Sequence, residues 1–175
     1  LFQQAAFLAD DQGQVFLDGV RLESRSYARE LEKHIAENAR RALRRLMQGF
    51  LEHAPNRLGP ADLHDVFHNS LYLLYRLLFI LCAESRGLLP LHYDQYRSKH
   101  SLARMREEIT GLAAPPGGTT LYWGQLKNLF KIVNGNYPKL NHALGVPRYN
   151  GGLFDPQQHR FLEENVVGDR ALVEV

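Results

Sequence analysis

The chain contains a single cysteine, Cys82, among its 175 residues. It therefore cannot form an internal disulfide, and it has no cysteine cluster that could hold a structural zinc ion. Because Cys82 lies in the apolar run Leu81-Cys82-Ala83, we expect its thiol to be buried and unreactive. Such sparing use of cysteine is typical of proteins in a reducing cytoplasm.

No signal peptide is recognisable in the sequence, and it has no long apolar run. Its first residues carry no basic segment of the kind that begins a secretory signal. The longest apolar stretch, residues 71–83, is interrupted by Arg76 and is shorter than the ~20 residues that span a bilayer. We therefore expect a core helix, a cytoplasmic protein and no contact with a membrane.

Neither sign of charge is in large excess, since 21 Lys+Arg face 19 Asp+Glu. This balance excludes a strongly basic nucleic-acid binder on average charge, although a local basic patch stays possible. The length and the ordinary apolar fraction predict one globular domain over residues 1–175. Because the chain begins with Leu1, we expect a fragment of a larger multidomain protein, with residues 1–20 as the tail of a preceding domain.

Sequence motifs of the common catalytic sites are absent. We find no glycine-rich phosphate loop, no nucleophile elbow, no Glu-x-Lys pair after an acidic strand and no Asn-Pro-Pro-aromatic loop. His64 and His68 have a spacing that can place two imidazoles on one metal ion, but no third ligand is recognisable. We therefore assign no catalytic residue, no metal site and no cofactor to this chain.

Hydrophobic periodicity predicts an all-α fold of about five main helices. The most apolar helix, about residues 61–86, follows Pro60 and precedes Gly87, and we expect it to be the buried central helix. Residues 14–22 are predicted to be extended and residues 135–156 to form a long irregular loop. The other predicted helices run from Ser24 or Ser26 to about His53, over 101–113, over 119–134 with Thr119 or Thr120 as N-cap, and over 156–165 and 168–175.

A basic face is predicted on the first long helix. Residues 24–50 hold seven basic and three acidic residues, a local net charge of +4 against +2 for the whole chain. Basic side chains that share one side of a helix can contact DNA phosphates; the alternatives are a solvated helix face and contacts to a neighbouring domain. The candidates for DNA contact are Arg40, Arg41, Arg44 and Arg45, with Lys127 and Lys131 on a later helix.

The segment of residues 147–156 has an unusual composition. Two glycines permit positive φ or a close backbone approach, aromatic residues flank them as anchors, and Asp155 can cap a following helix. The segment is interpreted either as a rigid turn docked on the core or as a surface that binds a neighbouring catalytic domain or its DNA. The docking candidates are Arg148, Tyr149, Asn150, Gly151, Gly152, Phe154 and Asp155.

Two blocks carry a family resemblance. The run from Leu74 to Pro90 (LYRLLFILCAESRGLLP) and the block from Tyr149 to Asp155 (YNGGLFD) resemble hallmark segments of type IIG and IIL restriction-modification enzymes and of BREX-type adenine-specific DNA methyltransferases. Between them, residues 121–130 (LYWGQLKNLF) resemble an aromatic helix of that family, and residues 23–50 fit its preceding helix. The resemblance covers nearly the whole chain.

The resemblance implies a helical connector between a nuclease region, where one is present, and a methylase domain. The catalytic motifs of that family would lie outside this chain, so no catalytic residue is carried over. S-adenosylmethionine, and Mg²⁺ where cleavage occurs, are implied for the parent protein and not for this fragment. The implied partners are DNA and the flanking nuclease and methylase domains.

Two functions are therefore kept open. The first is a helical spacer that positions the catalytic modules of an adenine-specific DNA methyltransferase, with or without a fused endonuclease, on DNA. The alternative is a non-catalytic protein-interaction domain that docks a partner subunit of a phage-defence system through residues 149–155. Binding of duplex DNA by the chain would favour the first function, and capture of protein alone would favour the second.

Overall fold

The structure, a computed structural model, describes residues 16–114, 116–149 and 151–175. In this part of the chain all regular structure is helical and strands are absent, so the predicted all-α fold is confirmed. The chain divides into two compact units, Leu1–Arg41 and Ala42–Val175. Most of residues 1–20, which are expected to be the tail of a preceding domain, lies outside the described residues.

Eight α-helices lie in the described residues, and four of them have nine residues or more. Two single 3₁₀ turns, Ala54–Asn56 and Pro60–Asp62, connect the first helix to the second. The helices are α1 (Phe16–Glu52), α2 (Leu63–Ser85), α3 (Asp94–Lys99), α4 (Leu102–Thr110), α5 (Leu121–Val133), α6 (Pro138–Leu144), α7 (Arg160–Glu164) and α8 (Asp169–Val173).

Helix α1 begins earlier than the sequence predicts. It includes residues 16–22, so the predicted extended piece is wrong there, and so is a start at Ser24 or Ser26. Asp18-Gly19, a pair of residues that is common in turns, lies inside the helix, where one glycine costs only about 1 kcal/mol relative to alanine. The C-terminus at Glu52 agrees with the predicted end near His53. In the first unit the side chains of Tyr27 and Ile35 are exposed.

Helix α2 confirms the predicted central helix within two residues at each end. Gly87 terminates it with φ +70°, and the Leu88 amide donates to the Ala83 carbonyl at 2.8 Å, as expected for a glycine just beyond a helix end. Nine of its side chains are buried, and they lie on one side of the helix.

The opposite side of α2 is exposed, which corrects the expectation that other elements surround this helix. Tyr75 is 52% exposed and Leu78 is 45% exposed. Cys82 lies on the same side and is also exposed, so its predicted burial is wrong. Among the described residues, Pro60–Ser85 is the one helical segment that has the length and composition of a membrane span, and less than half of it is buried.

The core of the second unit joins the C-terminal turns of α1 to α5 and to the end of the chain. Phe50 packs edge-to-face against Trp123 and Phe161, with ring centroids 5.8 and 5.3 Å apart. Gly49 lets α8 approach closely, because a Cβ at this position would lie 2.5 Å from the Cβ of Ala171.

Short helices lie where the sequence predicts irregular chain. Helix α3 lies within the predicted turn of residues 91–99, and α6 lies within the predicted loop of residues 135–156. Both are too short to establish a helical period against the surrounding glycine, proline and asparagine. Helices α7 and α8 are each confirmed but shorter than the segments predicted for them.

Candidate functional site

The two blocks that carry the family resemblance contact each other in the second unit. The Arg76 Nε donates to the carbonyl of Leu153 at 2.7 Å. The Tyr149 hydroxyl donates to the carbonyl of Leu88 at 2.6 Å. The ring of Phe79 lies 5.4 Å from the ring of Tyr149 and 5.4 Å from that of Phe154. The two blocks therefore pack directly against each other, although residues 91–148 separate them in the chain.

Arg76 is the buried centre of this contact, with 1% of its surface exposed. Its guanidinium carbon lies 5.1 Å from the ring centroid of Phe130 on α5 and 5.7 Å from that of Phe154, within cation–π range. Burial lowers the pKa of Arg76 to about 10, against the opposing effect of Glu163 and Asp155. The side chain thus joins α2, α5 and the 149–155 segment.

The docking candidates are divided between the interior and the surface. Phe154 is buried and Tyr149 is half-buried, so both aromatic anchors contact the chain's own core. Gly152 has φ +73°, and a Cβ there would lie 2.8 Å from Gln158 Oε1. Asn150 lies outside the described residues. These contacts support the interpretation of a rigid turn docked on the core.

Asp155 stabilises a turn and does not cap a helix. Its Oδ1 accepts from the Gln157 amide at 2.9 Å, and its Oδ2 accepts from Gln158 Nε2 at 3.1 Å. Helix α7 begins only at Arg160, beyond the reach of the Asp155 side chain. The predicted cap is therefore wrong, because the carboxylate closes a local Asx turn first.

An open polar pocket of about 380 Å³ lies on the outer side of this turn. It presents amide, guanidinium and carboxylate groups and little apolar surface. This is the part of the docking segment that another molecule can reach. The pocket is lined by Asn134, Arg148, Gly151, Gly152, Asp155, Gln157 and Gln158.

Two of the candidate DNA contacts are already engaged in ion pairs. Arg45 pairs with Glu174 at 2.7 Å and with Glu52 at 3.3 Å, and only 15% of its side chain is exposed. Lys127 Nζ lies 3.1 Å from Glu163 Oε2 and donates to the Glu163 carbonyl at 2.8 Å. The charges of these two residues are therefore largely offset within the second unit.

The other basic candidates are accessible. Arg40 and Arg41, at the end of the first unit, are exposed. Arg44, in the second unit, is exposed as well, whereas Lys131 on α5 is only half-exposed. A phosphate could therefore reach the guanidinium groups of these three arginines.

His64 and His68 are neighbours on the exposed side of α2. Their ring centroids are 4.4 Å apart. Across the described ranges 16–114, 116–149 and 151–175, no group of three metal-ligating side chains occurs. The histidine pair therefore has no third ligand within the described chain.

Buried His159 is a residue that the sequence does not single out. Its ring lies 4.4 Å from that of Tyr72, and its Nε2 is 3.1 Å from the Gly152 carbonyl. Since a carbonyl only accepts, the proton must lie on Nε2. Burial, and then the positive charge of Arg76, lower the pKa of His159, while the Gly152 hydrogen bond and Asp155 oppose this shift.

We expect His159 to make folding stability depend on pH on the acid side. Because its folded-state pKa lies below the ordinary 6.5, the unfolded chain binds more protons, and stability falls as pH drops below about 6.5. Between pH 7 and pH 5 the free energy of unfolding, measured with urea, should therefore fall less in H159Q than in the wild type. In H159Q the free energy of unfolding should still fall somewhat with pH, because burial lowers the pKa of His100 as well.

The exposed residue His92 provides the matched control for this measurement. H92Q should keep the wild-type dependence of stability on pH. An H159Q variant whose pH dependence equals that of the wild type would contradict the assignment.

The sequence also does not single out two buried carboxylates. Each accepts hydrogen bonds from the first amides of a helix that lies elsewhere in the sequence. Asp169 is 1% exposed. Its Oδ2 accepts from the Thr119 hydroxyl and the Leu121 amide, both at 2.7 Å, and its Oδ1 accepts from the Tyr122 amide at 2.9 Å. The side chain of Thr120 makes no capping bond, so the predicted threonine cap of α5 is replaced by Asp169.

Glu84, on α2, does the same for α4. Its carboxylate accepts from the amides of Leu102 and Ala103 at 2.8 and 2.9 Å and from the Tyr96 hydroxyl at 2.9 Å. Burial and the neighbouring Glu84 carboxylate raise the pKa of Tyr96 above its ordinary value of 10.0. The Ser101 hydroxyl accepts from the Arg104 amide at 3.0 Å and completes the cap.

Comparison of the chain with protein-family models, curated proteins and solved structures gives no significant match.

Proposed function

We propose that the chain is the helical connector of an adenine-specific DNA methyltransferase of the restriction-modification or phage-defence type, acting on DNA in the cytoplasm. One observation carries the proposal. The blocks Leu74–Pro90 and Tyr149–Asp155, which hold the sequence resemblance, are in direct contact through the Arg76–Leu153 and Tyr149–Leu88 hydrogen bonds. Two segments that each resemble the same family are therefore in contact in the structure.

The physical properties of the second unit suit a connector. Its elements are joined by buried polar contacts, including the Arg76 cluster and the carboxylate caps of α4 and α5. A helical unit held in this way fixes the distance between its flanking modules better than a flexible linker does. The accessible arginines would supply contacts to the phosphate backbone, which add affinity without reading sequence. In the parent protein, S-adenosylmethionine would be bound by the methylase domain.

We expect the exposed arginines to contribute nonspecific DNA binding. In R40A/R41A the affinity for a fluorescent duplex should fall, and the plot of log affinity against log salt should become shallower by about 2, since each phosphate contact contributes about 0.9. R44A, in the second unit, is tested separately and should lower the slope by about 1. The measurement is fluorescence anisotropy at several salt concentrations.

The control replaces two other exposed arginines, Arg97 on α3 and Arg106 on α4. R97A/R106A removes the same charge and should leave the salt slope close to that of the wild type. If the chain binds no duplex at low salt, or if both double variants lose affinity equally, the arginines do not form a DNA contact. Selective capture of a protein partner in that case would favour the alternative function, with the polar pocket at residues 148–158 as its contact.

A further inference from the structure

The exposed side of α2 is an apolar surface within the described chain. We call it the α2 face and define it by residues that lie within about 140° of one another around the helix at 100° per residue. Each of them is exposed or half-buried, although the opposite side of the same helix is core. Phe79 lies in the same arc but is packed against Tyr149 and Phe154, so it is not counted. The α2 face comprises His64, Phe67, His68, Leu71, Tyr72, Tyr75, Leu78, Cys82 and Arg86.

The charges of α2 are distributed unevenly with respect to this face. Arg76 and Glu84 are buried, so the exposed positions between Asp65 and Arg86 carry no acidic or basic side chain apart from His68. Asp65 is exposed near the N-terminus of the helix, and Arg86 is exposed just beyond its C-terminus. Arg86 lies on the α2 face, and Asp65 lies at its edge, about 20° beyond Tyr72 around the helix. An apolar strip with opposite charges near its two ends is complementary to a copy of itself turned end for end.

We propose that two copies of this chain associate through the α2 face, with their α2 helices antiparallel. In this arrangement Asp65 of each copy lies near Arg86 of the other, and the two helix dipoles oppose each other. A parallel arrangement would place like charges together at both ends. Both copies contribute the same face, so the interface is isologous, as a twofold dimer requires.

The area of the α2 face is sufficient for a dimer. Phe67, Tyr72 and Tyr75 are each 40–52% exposed, so each can still bury about half of the roughly 150–250 Å² of an aromatic side chain. With the remaining side chains, association removes roughly 600–700 Å² per copy from water, which brings the pair to the lower end of the 1,200–2,000 Å² of stable interfaces. A helix of this length, about 35 Å, accommodates that contact.

The arrangement fixes which residues meet. The apolar part of the face runs from Phe67 to Cys82, so the twofold axis passes close to Tyr75. His68 of one copy then lies opposite Cys82 of the other, seven residues from the axis on each side. The Cys82 residues of the two copies are about 20 Å apart along the helices, at 1.5 Å per residue, too far for a disulfide.

The first test measures the mass of the chain by analytical ultracentrifugation over a range of concentrations. The wild type should be a dimer, and L78E should raise the dissociation constant by about 30-fold or more, since a central interface residue is lost. The control L121E changes another exposed leucine, at the start of α5, which is 61% exposed against 45% for Leu78, and it should stay dimeric. A wild type that is monomeric at every concentration, or a dimer that L78E leaves unchanged, overturns the proposal.

The second test uses the single native cysteine. Under oxidised glutathione, H68C should form a disulfide-linked dimer with Cys82 of the other copy, whereas the wild type should not. Cross-linking of the wild type would indicate parallel helices and overturn the antiparallel arrangement. Because His68 and Leu78 are exposed in the monomer, both variants should keep the helical circular dichroism of the wild type.

Discussion

Replacing Asp169 by alanine should destabilise the second unit by about 3 kcal/mol, the largest loss that we expect from a single substitution. The carboxylate is buried, and it accepts from one hydroxyl and three amides at the beginning of α5, the third being the Trp123 amide at 3.4 Å. In D169A these donors lose their acceptor inside the protein, and the positive end of the helix dipole loses its anion. A domain is stable by only about 5–15 kcal/mol, so the loss should be evident in urea unfolding.

Two further variants distinguish the loss of the capping hydrogen bonds from the general effect of removing a side chain. D169N keeps the shape and one acceptor oxygen, and it should lose less stability than D169A. D94A removes an exposed carboxylate from the first turn of α3 and should change stability by less than about 0.5 kcal/mol. If D169A were as stable as D94A, Asp169 could not be the cap of α5.

Replacing Glu84 by alanine should cost nearly as much, about 3 kcal/mol. The substitution leaves the amides of Leu102 and Ala103 and the hydroxyl of Tyr96 without their acceptor. Helix α4 should therefore detach from α2 before the rest of the unit unfolds. Hydrogen exchange of the α4 amides, compared with those of α5, measures that local effect.

A double-mutant cycle tests the Glu84–Tyr96 contact. Y96F alone should cost about 1 kcal/mol, and in the E84A background it should cost much less, because its acceptor is already gone. E164A, at an exposed position of α7, is the control for loss of a glutamate. Additive effects of E84A and Y96F would show that the two side chains do not act together.

Much of the fold could be predicted because its signals are local. The apolar period of residues 61–86 and the glycine at position 87 determine α2 and its end. Helix α5, of 13 residues, is likewise predicted from its own core residues, such as Leu126 and Phe130. These features depend on neighbours three or four positions away, which the sequence displays directly.

The features that could not be predicted depend on distant residues. Asp169 caps a helix that begins 48 positions earlier, at Leu121, so Thr119 and Thr120 were the reasonable local candidates. Arg76 interrupts an apolar helix as though it were exposed, yet the rings of Phe130 and Phe154 cover it. Cys82 has apolar neighbours in sequence, but it lies on the side of α2 that the core does not reach.

The position of Asp169 has a consequence for how the chain is made. Because synthesis proceeds from the N-terminus, α5 leaves the ribosome well before the residue that accepts its first amides. Until Asp169 emerges, the amides of Leu121 and Tyr122 lack the carboxylate that accepts from them in the folded unit. The first turn of α5 therefore acquires its cap only after residue 169 has been made.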